Sequence, residues 1–285
     1  MRISVRARRA LATLTAGAVI VSATLFSTSA AHAAPLPPDN VRVMAALGDS
    51  ITQASMTCGS LVNCPANSWA TGTSTTVNSH LLRLRATAAP DNLVGYNDAV
   101  AGSLSSALNA QAQKAVTQRA QYVTIEIGAN DACTRTVGAM TPTATFRTNV
   151  QAALATLAAS PDAPQIFVAS IPSLQRLYDI NRSSFSARFT WSVLGICQSM
   201  LANPTSTSAV DVQRRAAVQQ RVNEYNQVLA ESCGAYPATC RYDGGAVATY
   251  AFVRSDISTR DYFHPSVSGQ ATLASITWAK TQWAS

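Results

Sequence analysis

The sequence predicts an α/β protein whose core is a parallel sheet with helices on both faces. Three observations carry that prediction. Apolar, β-branched runs alternate with helix-length segments along the chain. The clearest strand runs are apolar on both alternating faces, as strands covered on both sides must be. They also stop at Gly or Pro, at Gly48, Gly128 and Pro172. The βαβα order then favours a parallel sheet over a sandwich.

The elements follow in order. Val41 to Leu47 is an apolar run ending at Gly48 and reads as the first buried strand. Ser68 to Arg85 has helical spacing. Val94 to Val100 is a weaker strand. Leu104 to Ala120 is rich in Ala and Gln and reads as helix. Tyr122 to Ile127 is a strand that stops at Gly128. Thr143 to Ala159 is a helix bounded by Pro142 at its start and Pro161 beyond its end. Ile166 to Ile171 is a strand closed by Pro172. Asp211 to Ser232 is a long amphipathic helix, and Ser266 to Trp283 is the last one. The stretch 172–210 breaks the rhythm, being too long for an ordinary connection. It carries Leu174, Leu177, Tyr178, Phe185, Phe189, Trp191, Leu194 and Met200. Such a segment is either the wall or lid of a pocket or extra helix packed on the core.

Residues 1–33 have the pattern of a secretory signal. Arg2, Arg6, Arg8 and Arg9 precede an uncharged apolar run from Ala10 to Phe26, and Ala31-His32-Ala33 supplies a small-x-small cleavage signature. Cleavage after Ala33 leaves 34–285 as one domain and the protein as secreted. The formal charge of +7 then falls to +3, because the leader holds four Arg and no acid. No basic cluster with interleaved aromatics is present, so nucleic acid is not an expected partner. With 47% hydrophobic and 12% charged residues, the chain is too apolar and too sparsely charged for disorder.

All six cysteines follow the leader, and an even count in an exported chain implies disulfides. Fifteen connectivities exist for six cysteines. The sequential one is favoured, because Cys58–Cys64 and Cys233–Cys240 each close a short loop and leave Cys133–Cys197. No Cys-x-x-Cys or His-x-x-x-His spacing supports a metal site, and no cofactor is expected.

Ligands of open α/β sheets bind beyond the carboxyl ends of the strands. Three motifs fall there: Gly48-Asp49-Ser50, Gly102 in Ala99-Val100-Ala101-Gly102-Ser103, and Gly128-Ala129-Asn130-Asp131. A fourth, Asp261-Tyr262-Phe263-His264-Pro265, precedes the final helix. Each is a common turn sequence alone, and their convergence on one edge gives them weight. Acyl transfer needs a nucleophile, a base and donors for the developing oxyanion. Ser50 at a strand-to-helix turn is the candidate nucleophile. His264 is the base, because His32 leaves with the signal and His80 sits beside Leu81 and Leu82 in a predicted helix as a structural or surface residue. Asp261, three residues before His264, is placed to hold the imidazole. The Ser50 N–H, the Gly102 N–H and the Asn130 side-chain amide are the candidate oxyanion donors. Asp49 and Asp131 read as turn residues behind these motifs. Gly-x-Ser-x-Gly is absent, which argues against a nucleophile-elbow hydrolase.

These four blocks resemble those of the SGNH (GDSL) hydrolases, especially the secreted esterase, lipase and phospholipase branch. The resemblance spans Val41 to the last helix. Ile51 departs from the Leu common after Gly-Asp-Ser. The likeness implies a flavodoxin-like three-layer α/β/α sandwich with a parallel five-stranded sheet. It further implies the Ser50, His264 and Asp261 triad, although some relatives hold the His by a backbone carbonyl instead of Asp. The expected function is hydrolysis of lipid-type acyl esters, by a monomer with at most transient contact with a lipid surface. Carbohydrate acetylesterase activity and an inactive secreted binding module are the alternatives.

Overall fold

A computed structural model describes residues 36–87 and 92–284. The secretory-signal segment and the expected cleavage near Ala33 lie outside the described residues. The chain runs β1 (Val43–Gly48), α1 (His80–Thr87), β2 (Val94–Asn97), α2 (Leu108–Thr117), β3 (Tyr122–Glu126), α3 (Ala129–Ala132) and α4 (Thr143–Ala158). It continues through β4 (Gln165–Val168), α5 (Leu174–Asn181), α6 (Phe185–Leu194), α7 (Gln198–Leu201) and α8 (Ala209–Gly234). It ends with β5 (Cys240–Tyr242), α9 (Ala246–Thr249) and α10 (Val267–Trp278). The described residues all belong to one compact unit by their internal contacts. Among the described residues no helix is long and apolar enough to cross a membrane.

The five strands are parallel in the order β2-β1-β3-β4-β5. This is the flavodoxin-like order, and its direction of travel reverses at β1. Right-handed crossovers then place α1 on one face and α2, α4 and α8 on the other. Packing agrees: α2 lies against α4 and α4 against α8. On the opposite face, α1 meets α10 through His80 and Thr277. The reversal opens a crevice between β1 and β3 at their carboxyl ends, where the fold class binds its ligands.

The structure corrects several sequence-based expectations. Ser68 to Asn78 is not helix. The segment is rich in Thr, Ser and Gly, which spend their hydrogen-bonding groups on turns, and Asn78 takes a left-handed φ of 51°. Helix begins only at His80. Four other elements are shorter than expected. The second strand stops at Asn97, the next helix spans Leu108–Thr117 after a 3-10 turn at Ser105–Ala107, the fourth strand ends at Val168, and the last helix ends at Trp278. β5 was not anticipated from the residues, since three residues carry no readable period. Segment 172–210 folds as three helices, of which α5 and α7 pack on α8. Cystines join Cys58–Cys64, Cys133–Cys197 and Cys233–Cys240.

Candidate active site

β1 delivers Ser50 through a turn that the sheet itself fixes. Gly48 has φ +142°, and a Cβ there would lie 2.0 Å from the Glu126 carbonyl oxygen. Only glycine lets β1 approach β3 this closely at its end. The side chain of Gln111 on α2 clamps the same residue, accepting from the Gly48 N–H at 2.7 Å and donating to its carbonyl at 2.9 Å. Asp49 Oδ1 accepts the Ile51 N–H at 2.9 Å, an Asx turn that sets the Ser50 backbone. From the opposite face, Gln270 on α10 accepts from the Trp69 N–H and donates to the Ile51 carbonyl at 2.8 Å. The glutamines were invisible to sequence reasoning, because Gln111 is one of two Gln in α2 and Gln270 the lone Gln of α10, and neither position has a pattern of its own.

The loop before α10 brings His264 across 214 residues of chain to Ser50, with Nε2 2.8 Å from Oγ. Asp261 is fully buried. Its Oδ1 accepts the N–H groups of Phe263 and His264 at 3.0 and 3.1 Å, and its Oδ2 lies 2.5 Å from His264 Nδ1. A buried carboxylate accepts only, so Nδ1 carries the proton and Nε2 presents its lone pair to the Ser50 hydroxyl. The loop is locked at both ends. Ile257 bridges Pro265, and the Ser258 N–H donates to the His264 carbonyl at 2.8 Å. On the insert, the Trp191 indole donates to the Tyr262 carbonyl at 3.3 Å.

β3 delivers Asn130. Gly128 has φ +123°, and a Cβ there would meet Ile171 at 2.5 Å and Phe146 at 3.0 Å. The Asn130 amide nitrogen donates to the Ser103 carbonyl at 3.1 Å, which leaves its second N–H free for a ligand. Buried Asp131 ties the same two turns together, accepting the Ser105 N–H at 2.8 Å and the Ser105 hydroxyl at 2.7 Å. The N–H groups of Ser50 and Gly102 donate to nothing among the described residues. Ser50, His264 and Asp261 are therefore joined in one hydrogen-bonded chain. Gly102 and Asn130 lie on adjoining turns at the same sheet edge.

Three buried acids stand behind this edge. Burial, more than any neighbour, pushes the Asp49 carboxyl up to about 7, against the lowering effect of the Ile51 N–H and the nearby imidazole. Burial, and then the charge of Asp49, holds the Glu126 carboxyl well above the usual carboxylate range. Neither Glu126 oxygen finds a hydrogen-bond partner among the described residues. Burial also raises Asp131, although the bonds from Ser105 oppose it.

The proton is thus held more tightly by folded Asp49 than by the unfolded chain, so the contribution of this group to folding stability is greatest below about pH 4 and falls as pH rises towards 7. Asp49→Asn keeps the acceptor for Ile51 and removes the titration. It should melt at least about 5 °C above the native chain at pH 8, the relieved penalty being worth up to roughly 4 kcal/mol, and level with it at pH 4. Calorimetry at the two pH values checks this, and equal melting at both would refute the raised carboxyl.

A small apolar cavity of about 10 Å³ adjoins the set. Its lining includes Ile51, Ala129, Phe263 and Pro265, each a chain neighbour of a candidate site residue, together with Leu174, Leu177 and Pro172 of the insert. Its exposed lining is apolar throughout. The described residues hold no group of three or more side chains placed to bind a metal ion.

The family described as GDSL-like Lipase/Acylhydrolase matches residues 46–272. No curated protein sequence matches the chain. Among solved structures, a catalytic mutant of an acetylxylan esterase from Geobacillus stearothermophilus superposes with TM-score 0.53 at 14% identity, covering 84% of this chain and 93% of that one. A putative GDSL-like lipase from Parabacteroides merdae does so with TM-score 0.52 at 16% identity, over 86% and 99%. An extracellular lipase from Streptomyces rimosus reaches 0.48 at 17% identity, over 84% and 99%.

Proposed function

Because the chain belongs to the GDSL-like lipase/acylhydrolase family, we propose that it is a carboxylic ester hydrolase that works through an acyl-enzyme on Ser50. The observation that carries this is the hydrogen-bonded chain Ser50–His264–Asp261, at 2.8 and 2.5 Å. Ser50 Oγ attacks the ester carbonyl while His264 Nε2 takes its proton. Asp261 holds the imidazole in the required tautomer and stabilises the imidazolium. The Ser50 and Gly102 amides and the Asn130 side chain hold the oxyanion. Such donors are worth roughly 10²–10³ in rate each. Collapse of the intermediate expels the alcohol, which takes the proton from His264. Water, activated by the same imidazole, then releases the acid.

Lipid-type acyl esters are the substrates this reading favours. The support is the apolar lining of the cavity next to Ile51, to which the insert contributes Pro172 and, from α5, Leu174 and Leu177. A second reading, hydrolysis of acetyl groups from carbohydrate, draws on one observation: a cavity of about 10 Å³ admits little more than a methyl group. A p-nitrophenyl ester series separates them. The lipid reading expects kcat/KM for octanoate to equal or exceed that for acetate. A fall of 100-fold or more from acetate to octanoate would replace it with the acetyl reading. The basic, apolar leader and the three cystines support an exported chain, and sequencing the N-terminus of secreted protein tests for cleavage after Ala33.

A further inference from the structure

The outer face of α6 is apolar where a surface helix is ordinarily polar. Phe185, Phe189 and Val193 recur at i, i+4 and i+8, so they form one stripe, and they are 75%, 61% and 63% exposed. The inner face carries the buried residues Ala187 and Trp191. The helix is rigidly held. Ser184 caps its start, the Trp191 indole bonds to Tyr262 in the His264 loop, and the Cys133–Cys197 cystine ties the following turn to the Asn130 strand end. Its exposed stripe is therefore about one helix diameter, roughly 10 Å, from the catalytic loop.

Charge says what covers the stripe. Segment 172–210 holds Arg176, Arg182 and Arg188 against one acid, Asp179. Arg188 lies on α6 itself and has no carboxylate within ion-pair distance among the described residues. Arg182, which caps the C-terminal end of α5 just before α6, meets Asp179 only at 3.8 Å. A second copy seated on this face about a two-fold axis would set these arginines against each other. An anionic lipid surface would meet them with phosphates while its acyl chains receive the aromatic stripe.

We infer that the outer face of α6 docks the protein on anionic phospholipid surfaces, with Phe185, Phe189 and Val193 at the headgroup–acyl boundary and Arg182 and Arg188 against the phosphates. This rests on the lipid-ester reading above and adds to it how the site reaches a substrate packed in a bilayer. Docking is measured by cosedimentation with vesicles of ether-linked phospholipid, which the proposed chemistry does not cleave. The native chain should bind vesicles containing phosphatidylglycerol at least tenfold more tightly than pure phosphatidylcholine. F185S/F189S should lose at least tenfold in binding to the anionic vesicles while its rate on dissolved p-nitrophenyl acetate and its melting temperature stay native. R182Q/R188Q should erase the preference for the anionic vesicles. Equal vesicle binding by native chain and F185S/F189S would overturn the inference, as would no binding by the native chain. A native dimer that F185S/F189S dissolves would overturn it in favour of a second copy. Vesicle binding without cleavage of any dispersed ester lipid would leave the docking face standing and overturn the lipid-ester reading instead.

Discussion

Ser50→Ala should lower kcat on a p-nitrophenyl ester by about 10⁶ and leave KM near the native value. The size follows from what the hydroxyl does. It forms the covalent intermediate, so its loss leaves only water, held by the oxyanion donors and the pocket, to attack the ester. The residual rate should still exceed the uncatalysed one by about 10³, because the amides of residue 50 and Gly102 and the side chain of Asn130 remain. The fold should not change. The turn is held by Asp49 on the Ile51 N–H and by the Gln111 clamp on Gly48, and neither involves the Ser50 side chain. His264→Ala should cost nearly as much, and the double variant little more than either alone, because the two act as one unit. Steady-state rates for the three variants check this. Hydrolysis by Ser50→Ala within tenfold of native would remove Ser50 as the nucleophile.

The residues that meet at Ser50 were readable in the sequence because each occupies a position where backbone geometry leaves a mark. Gly48 and Gly128 stand where a Cβ would collide with the neighbouring strand or with Ile171, so the ends of β1 and β3 are spelled in glycine. Asp261 and His264 lie within one loop, where a three-residue spacing is enough to predict contact. Four of the five strands were legible for a similar reason, as runs of apolar or β-branched residues closed by a breaker or a polar turn. β5 was not, since its order comes from pairing with β4 and not from its own three residues. The residues that position the site were also silent. Gln111, Gln270 and Ser105 act through hydrogen bonds to backbone or to Asp131 from distant elements, and no local period encodes that. The segment 68–79 misled for the opposite reason. Its apolar spacing looks helical, but its Thr, Ser and Gly make turns once Ser79 bonds back to the Gly72 carbonyl.

His80 shows the same limit in a form that can be measured. Its neighbours Leu81 and Leu82 left a structural or a surface role open. The structure buries it completely between α1, α10 and β3, ringed by Trp69, Trp278 and Phe167. Thr277 gives its own proton to the Leu273 carbonyl, so it accepts from His80 Nε2–H at 2.8 Å, and His80 Nδ1 accepts from the Tyr122 hydroxyl at 2.8 Å. Both ring nitrogens are satisfied by the neutral imidazole, and a second ring proton would face a hydroxyl already donating to it. Burial accordingly pushes the His80 pKa down to about 3, with nearby Arg83 adding to it. The unfolded chain binds that proton near pH 6.5 and the folded chain does not. Stability from this group is therefore full above pH 6.5 and is lost as pH falls towards 3. Between pH 7 and pH 4 the loss should be about 3 kcal/mol. Asp49 and Glu126 act in the reverse sense over the same range, so the native pH slope is a difference of opposing contributions. His80→Gln isolates the imidazole, because an amide offers one donor for Thr277 and one acceptor for Tyr122 but cannot titrate. Urea unfolding at pH 7 and pH 4 should show the variant losing about 3 kcal/mol less than the native chain on acidification. Identical losses in the two proteins would mean that the imidazole takes up its proton inside the fold at little cost, against the hydrogen bonding seen there.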